Sequence, residues 1–197
     1  MFLKKNLWKQ TIEAKIRNQA GLLKKLGKEY QGVAYFATNV KSGDVDNREG
    51  AAARAYWPLL FGSSFTRERY GDPPNNMLNY AYAVLRAAVA RALTGSGLLV
   101  TLGIHHHNRY NAFCLADDIM EPYRPYVDAL VYQLFGRLEN AEELTTEIKL
   151  QLIGILTVDV KLDGQTRPLM VALSNTTASL ARCFSGEGKR VIYPVLK

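Results

Sequence analysis

Residues 104–125, IHHHNRYNAFCLADDIMEPYRP, place a run of histidines just ahead of three acids, and the chain's three histidines, His105, His106 and His107, all lie in it. Asp118 and Glu121 are three apart, which puts both carboxylates on one face of a helix, while Asp117 points about 100° away. Two acids on one face favour a cation, and an imidazole folding back from the preceding loop makes a mixed nitrogen and oxygen site. Such a set suits Mn²⁺, Mg²⁺ or Zn²⁺, and donor softness alone does not separate them. The purely structural alternative is that Asp117 and Asp118 complement a helix N-terminal dipole while the histidines occupy a wet loop. A third carboxylate is available in DNREGAAARAYW at Glu49. Asp46 followed three residues later by Glu49 also fits a capping-box-like helix start, which requires no catalysis.

The elements that must position these groups are mostly helical. Leu7, Trp8, Ile12, Ile16, Leu22, Leu23 and Leu26 recur at helical spacing, predicting an amphipathic first helix, softened near Gly21 and stopped at Gly27. Residues 30–40 are ambiguous, and Ser42 to Asp44 mark a loop. A helix from Asn47 to Leu60 ends near Gly62, and residues 61–75 connect it to the strongest helical pattern, Asn76 to Thr94, with Gly95 as its stop. Gly97 to Ile104 reads as a short extended piece or the start of another helix. Ala112 to Leu138 is helical with a kink or break near Glu121, because Pro122 and Pro125 interrupt it. A further helix is expected over Ala141 to Leu156, then a small hairpin around the Asp163-Gly164 pair and a last helix from Leu169 to Phe184. The fold class is mainly α: a multi-helix lobe with a small β-hairpin.

At 197 residues the chain buries roughly 70% of the surface its unfolded form exposes, enough for a real core. No apolar run reaches the roughly 20 residues of a membrane helix. Cys114 and Cys183 suit a reducing compartment better than a disulfide framework, and with no signal sequence in MFLKKNLWKQ the expected location is the cytoplasm. Net charge is +7, and its distribution is uneven. Residues 1–28 hold eight Lys or Arg against Glu13 alone, whereas the remaining 169 residues balance at 17 against 17. Such a segment suits a polyanion, or is a solvated helix face. Residues 1–28 are thus read as a basic amphipathic helix leading into a helical lobe, 29–197, the two forming one continuous domain.

Three blocks, NREGAAARAYWPLLFG, NNMLNYAYAVLRAAVARAL and GIHHHNRYNAFCLADDIMEPYRPYVD, occur in that order and resemble the CRISPR-associated integrase, the adaptation enzyme that inserts spacers into the array. The likeness runs from about Leu7 to Pro194, is densest between Asn47 and Asp128, and is greatest to versions that accompany single-effector systems. It implies a metal-dependent catalytic lobe in which Glu49, His106 and Glu121 hold Mg²⁺ or Mn²⁺. Asp118 matches a further acidic position and acts beside them. His105 and His107 flank the motif as loop or DNA-facing residues. Arg54 and Arg124, within a turn of the ligands, and Lys4, Lys5, Lys24 and Lys25 on the first helix, are the candidate phosphate contacts.

The resemblance implies strand transfer in which a 3′-hydroxyl of captured DNA attacks a phosphodiester at the repeat boundary; with water as the attacking group, the same site nicks DNA. Implied partners are double-stranded DNA (spacer precursor and CRISPR repeat), further copies of the chain, and a small ferredoxin-fold adaptation protein. The family's N-terminal β-rich domain is expected to be lacking, because the chain begins where the catalytic lobe begins. Two alternatives stand beside this reading. One is a non-catalytic DNA-binding subunit or truncated lobe of the same family. The other is an unrelated metal-dependent hydrolase using His106, Asp118 and Glu121, with Glu49 only capping its helix.

Overall fold

A computed structural model describes residues 2–138 and 142–197. Among these residues eight α-helices are laid out as α1 Phe2–Lys25, α2 Gln31–Thr38, α3 Arg48–Phe61, α4 Asn75–Gly95, α5 Cys114–Met120, α6 Arg124–Phe135, α7 Thr146–Ile153 and α8 Leu169–Ser185. A single 3-10 turn, Glu121–Tyr123, joins α5 to α6. The break expected from Pro122 and Pro125 therefore falls on the candidate ligand Glu121. Strands β1, Asp159–Leu162, and β2, Gln165–Pro168, pair antiparallel. Their register runs from Asp159 opposite Pro168 to Leu162 opposite Gln165, around Asp163 and Gly164 with φ of 50° and 77°. Both central residues at positive φ make the tight hairpin turn that Asp-Gly favours.

α1 is the element around which the site is built. It packs against α2, α3, α5, α6 and the Glu121–Tyr123 turn. Leu7, Ile12, Ile16, Leu22 and Leu23 are essentially inaccessible. Each such side chain contributes about 1.5–3 kcal/mol on burial. α1 is therefore a core helix: Leu7, Trp8, Ile12, Ile16, Leu22 and Leu23 belong to one hydrophobic core with residues of the other helices. α4 holds the other side, against α5, α6, α7 and α8. No helix among the described residues is long and apolar enough to cross a membrane.

Several boundaries differ from the sequence reading. α1 runs unbroken through Gly21, whose missing side chain serves packing: a Cβ there would lie 2.1 Å from the carbonyl oxygen of Leu196 in the C-terminal tail. α4 extends through Gly95 and stops at Gly97, which has φ 72° and is followed by the Leu98 N–H bond to the Leu93 carbonyl. That is the six-to-one closure of a helix C-terminus, the geometry that also ends α1 at Gly27. Residues 97–104 are neither strand nor helix but a succession of turns. α7 begins at Thr146 because the Thr145 hydroxyl caps it, accepting from the Ile148 N–H; Ala141, where a helix was expected to start, lies outside the described residues.

Candidate active site

Glu49 stands in the first turn of α3. The helix start is satisfied by Asn47, whose side chain accepts from the Gly50 N–H at 3.0 Å, and by Asp44, which accepts from the N–H groups of Arg48 and Glu49 at 2.8 and 3.0 Å. Asp46 is not the cap; it pairs with Lys41 at 2.9 Å. With the orphan N–H groups occupied by Asp44 and Asn47, the Glu49 carboxylate is not needed to close the helix. It turns instead to α1, where Lys15 Nζ donates to its Oε1 at 2.5 Å.

Glu121 meets the same lysine from the opposite side. Its Oε2 is 2.5 Å from Lys15 Nζ, and its Oε1 is 3.0 Å from Arg124 Nη2. The Lys15 contact is thus a close, buried ion pair. The turn carrying Glu121 is pinned by Asn18, one helical turn beyond Lys15, whose Nδ2 donates to the Pro122 carbonyl at 2.7 Å and to the Pro194 carbonyl at 3.0 Å. Both Glu oxygens lie 2.5 Å from one nitrogen, so they are at most about 5 Å apart. Two carboxylates at that separation repel by about 3 kcal/mol at an effective dielectric of about 20 unless a cation sits between them. Burial alone pushes the Glu121 carboxyl up, but Arg124, then Lys15 and His106, more than reverse this, and it is held below the usual carboxylate range. Burial opposes the charge on Lys15, yet Glu121 and Glu49 outweigh it and raise its pKa. Both partners therefore stay ionised at neutral pH.

His106 belongs to a neighbouring pair. Asp118 is fully buried and accepts from the N–H groups of Ile104, His105 and His106 at 2.5, 3.0 and 3.2 Å. It also sits 2.6 Å from His106 Nδ1. This carboxylate thus shapes the histidine loop and orients one imidazole in it. The Asp118 bond raises the His106 pKa, burial opposes it, and the charges of Asp118, Glu121 and Asp117 add to the rise. With Nδ1 engaged, Nε2 is the ring nitrogen left for a metal ion or a phosphate. Trp8 of α1 forms the floor: it stacks on His105 at 4.2 Å with planes 3° apart, and meets His106 edge-on at 5.9 Å. Asp117, as its helix position required, faces elsewhere, accepting from Asn111 at 2.6 Å and lying 3.8 Å from Arg86.

A second set of groups backs Arg124. Its guanidinium lies 5.0 Å from the Tyr82 ring centre. Tyr82 and Tyr56 both donate their hydroxyls to the buried Asp128. Burial pushes the Asp128 carboxyl up to about 6, against the lowering effect of the two tyrosines, Arg124 and Lys15. Beside this network a cleft of ≈ 620 Å³ is lined by Arg69, Arg86, Arg124 and the outward-facing Tyr70.

The structure thus brings Glu49 and Glu121 together and joins His106 to Asp118, while His106 acts on Glu121 through its charge. Among the described residues no three His, Cys, Asp or Glu side chains are gathered closely enough to hold a metal ion, and Lys15 lies between the two glutamates. The residue types still suit a hard divalent cation: two carboxylates brought to one nitrogen, and an imidazole oriented by Asp118 on the neighbouring loop. Arg54 is exposed on α3, and Lys5, Lys24 and Lys25 are exposed on α1. Lys4 bonds the Gly103 carbonyl at 2.8 Å and so supports the histidine loop. Sequence reasoning passed over Lys15 and Asn18 and took Trp8 only as an apolar position of the first helix, although they fall on one buried stripe, Trp8, Thr11, Lys15, Asn18 and Leu22, where a charge and an amide are out of place. It also passed over Arg69 and Arg86, which carry no local signal.

Residues 4–152 match the family of CRISPR associated protein Cas1, three quarters of the chain. The chain belongs to the Cas1 family. It is 41% identical over 179 residues to a CRISPR-associated endonuclease Cas1 of Neisseria meningitidis serogroup C (strain 8013), covering 90% of this chain and 59% of that relative. A casposase bound to integration product shares the fold with a TM-score of 0.79 at 23% identity, over 95% of this chain and 62% of the casposase chain. A Cas6-RT-Cas1–Cas2 complex contains a chain that superposes with a TM-score of 0.72 at 20% identity, over 95% of this chain and 24% of that one. The Cas1 match runs from α1 into α7 and so contains Lys15, Glu49, His106, Asp118 and Glu121. This Cas1 chain spans about three fifths of the length of its Neisseria relative.

Proposed function

We propose that this chain is the catalytic lobe of a Cas1 integrase: a metal-dependent enzyme that joins captured DNA to a CRISPR array by transesterification and cleaves DNA when water replaces the attacking hydroxyl. The observation that carries the reading is the meeting of Glu49 and Glu121, from elements 72 residues apart, around a single buried cation. A buried Glu121 carboxylate and a buried lysine facing a half-buried Glu49 are costly as mere packing, since well-packed apolar groups would serve at least as well. The Neisseria relative is named an endonuclease and the casposase is bound to an integration product, which supports a phosphodiester substrate.

Glu49, Glu121 and His106 would hold Mg²⁺ or Mn²⁺, which when bound neutralises charge developing on the phosphoryl oxygens. Asp118 keeps the proton of His106 on Nδ1 and thereby leaves the Nε2 lone pair for ligation. Arg124, anchored by Glu121 and Tyr82, binds a phosphate oxygen and aligns the scissile group. In the strand-transfer step a bond forms between the incoming 3′-oxygen and phosphorus while the bond from phosphorus to the repeat strand's 3′-oxygen breaks. The attacking hydroxyl loses its proton and the leaving oxygen gains one, so the number of phosphodiesters is unchanged. Arg69 and Arg86, flanking Arg124 in the cleft, take further backbone phosphates. The partners are double-stranded DNA, other copies of the chain, and a small ferredoxin-fold adaptation protein; a solved complex of a Cas6-RT-Cas1 chain with Cas2 supports a protein partner.

The test is a strand-transfer assay with labelled DNA ends and a repeat-containing target, run with Mg²⁺, Mn²⁺ or EDTA on wild type, Glu49→Ala and His106→Ala. Wild-type activity that needs the ion, with loss of at least 100-fold in both variants and DNA binding retained, is the expected outcome. Ion-dependent activity that survives Glu49→Ala favours a hydrolase built on His106, Asp118 and Glu121. DNA binding without turnover in either ion favours a non-catalytic subunit.

A further inference from the structure

The cation between the two glutamates belongs to the protein itself. Lys15 Nζ is 2.5 Å from Glu49 Oε1 and 2.5 Å from Glu121 Oε2, and Lys15 as a whole is 8% exposed. Its contact with Glu121 is a close ion pair that raises the lysine's pKa and lowers the glutamate's. Arg124, on the other Glu121 oxygen, has a different place, with its guanidinium over the Tyr82 ring. Glu121 therefore has one oxygen fixed by a guanidinium and the other facing a replaceable positive centre.

We propose that Lys15 is an exchangeable counter-cation of the metal site: it holds the glutamate pair in place before a divalent cation arrives and is expelled from between the two carboxylates when that cation binds. The inference rests on the metal-dependent reading above. A Mg²⁺ or Mn²⁺ ion needs carboxylate oxygens at about 2.0–2.2 Å, and cannot share these two oxygens with an ammonium 2.5 Å from both. Like charges at that separation exclude one another. The lysine's four-carbon stem is flexible, its head is a compact point charge, and withdrawal along the stem leaves the carboxylate positions unchanged. Folding thus avoids leaving the buried Glu121 carboxylate uncompensated beside half-buried Glu49, and metal binding becomes a competition between one mobile positive charge and another.

Two measurements test this without relying on turnover. The first labels amines of the wild-type protein with an acylating reagent and follows Lys15 by mass spectrometry as Mn²⁺ is added. Lys15 should be protected in EDTA and become at least fivefold more reactive once Mn²⁺ saturates, while the exposed Lys24 and Lys25 do not change. The second compares Mn²⁺ affinity, from the paramagnetic signal of free ion, in wild type, Lys15→Met and Lys15→Arg. Lys15→Met should bind at least tenfold more tightly, with a lower melting temperature in EDTA that Mn²⁺ restores, and Lys15→Arg should not gain affinity. Equal or weaker Mn²⁺ binding by Lys15→Met, or a lysine that stays protected while the wild type binds Mn²⁺, overturns the exchange. Failure of wild type to bind Mn²⁺ at all, with Lys15→Met equally inert, overturns the metal-site reading beneath it. If Lys15→Met does not fold, the labelling experiment on wild type decides alone.

Discussion

Replacing Asp118 with asparagine probes how the histidine loop is held. In the native protein Oδ2 accepts from the Ile104 and His105 N–H groups, and Oδ1 accepts from the His106 N–H and lies 2.6 Å from His106 Nδ1. An amide of the same shape keeps one accepting oxygen and turns a donor toward the other pair. If the NH₂ faces Ile104 and His105, two buried donors lose their acceptor. If it faces His106, one backbone donor is lost and the imidazole must change tautomer to accept, which puts its proton on Nε2 and removes the lone pair needed there. Bonds to an ionised acceptor are worth about 1.5–3 kcal/mol each. Allowing for relaxation, Asp118→Asn should cost about 3 kcal/mol, or a fall of roughly 6–12 °C in melting temperature for a chain of this size. Because the Asp118 bond is the leading cause of the raised His106 pKa, the variant's imidazole should also titrate lower. A raised pKa in the folded state gives stability that is full below the ordinary histidine value and is lost as pH rises through the folded value, and this slope should flatten in the variant. Proton NMR of the histidine ring resonances, assigned with His105→Gln and His107→Gln, reads the titration and the tautomer directly. An unchanged His106 titration together with a stability loss under 0.5 kcal/mol would refute the assignment of Asp118 as the loop's organiser.

Three further expectations follow from particular contacts. Gly21→Ala should destabilise by 1 kcal/mol or more in denaturant, because its Cβ would meet the Leu196 carbonyl at 2.1 Å, whereas Gly95→Ala, with open space around its Cβ, should gain about 0.5–1 kcal/mol from helix propensity. Asp128, held up at about 6, binds its proton more tightly folded than unfolded, so its contribution is full below about pH 4 and is lost as pH climbs to about 6. That loss amounts to about 3 kcal/mol, and Asp128→Asn should abolish this component of the pH–stability curve. DNA affinity should fall steeply with salt, and Arg69→Ala and Arg86→Ala should each reduce the log–log slope by about 0.9; slopes equal to wild type would remove the cleft from the DNA path.

Much of the architecture was legible because local chemistry and packing agree. The Asp163-Gly164 turn, the break at Pro122 and the long α4 stripe each follow from short-range rules, and each is present. Gly21 misled because a glycine inside a helix signals weakness only until its neighbour is known; here that neighbour is the tail at Leu196. The basic surplus in residues 1–28 has more than one use. Lys15 is buried between two acids, Lys28 bonds the Leu60 carbonyl at 3.1 Å, and Lys4 bonds Gly103, so part of that charge is structural. Asp118 and Glu121 were recognised as a pair on one face, but the Pro122 turn separates their work, one shaping the histidine loop and the other meeting Glu49. The acidic side of the site was thus readable from spacing and resemblance. The lysine that joins its two halves was missed, because its signal was not its charge, one of eight in that segment, but its place on the stripe from Trp8 to Leu22.

The central claim is that Glu49 and Glu121 act together at one cation site, and a double-mutant cycle in the strand-transfer assay measures this most directly. Residues serving one ion should fail as a unit: Glu49→Gln and Glu121→Gln should each lower the rate at least 100-fold, and the double variant should be no more than a few-fold worse than either. Losses that multiply across the pair, each variant costing as much in the other's background as in wild type, would show two independent sites and contradict the account.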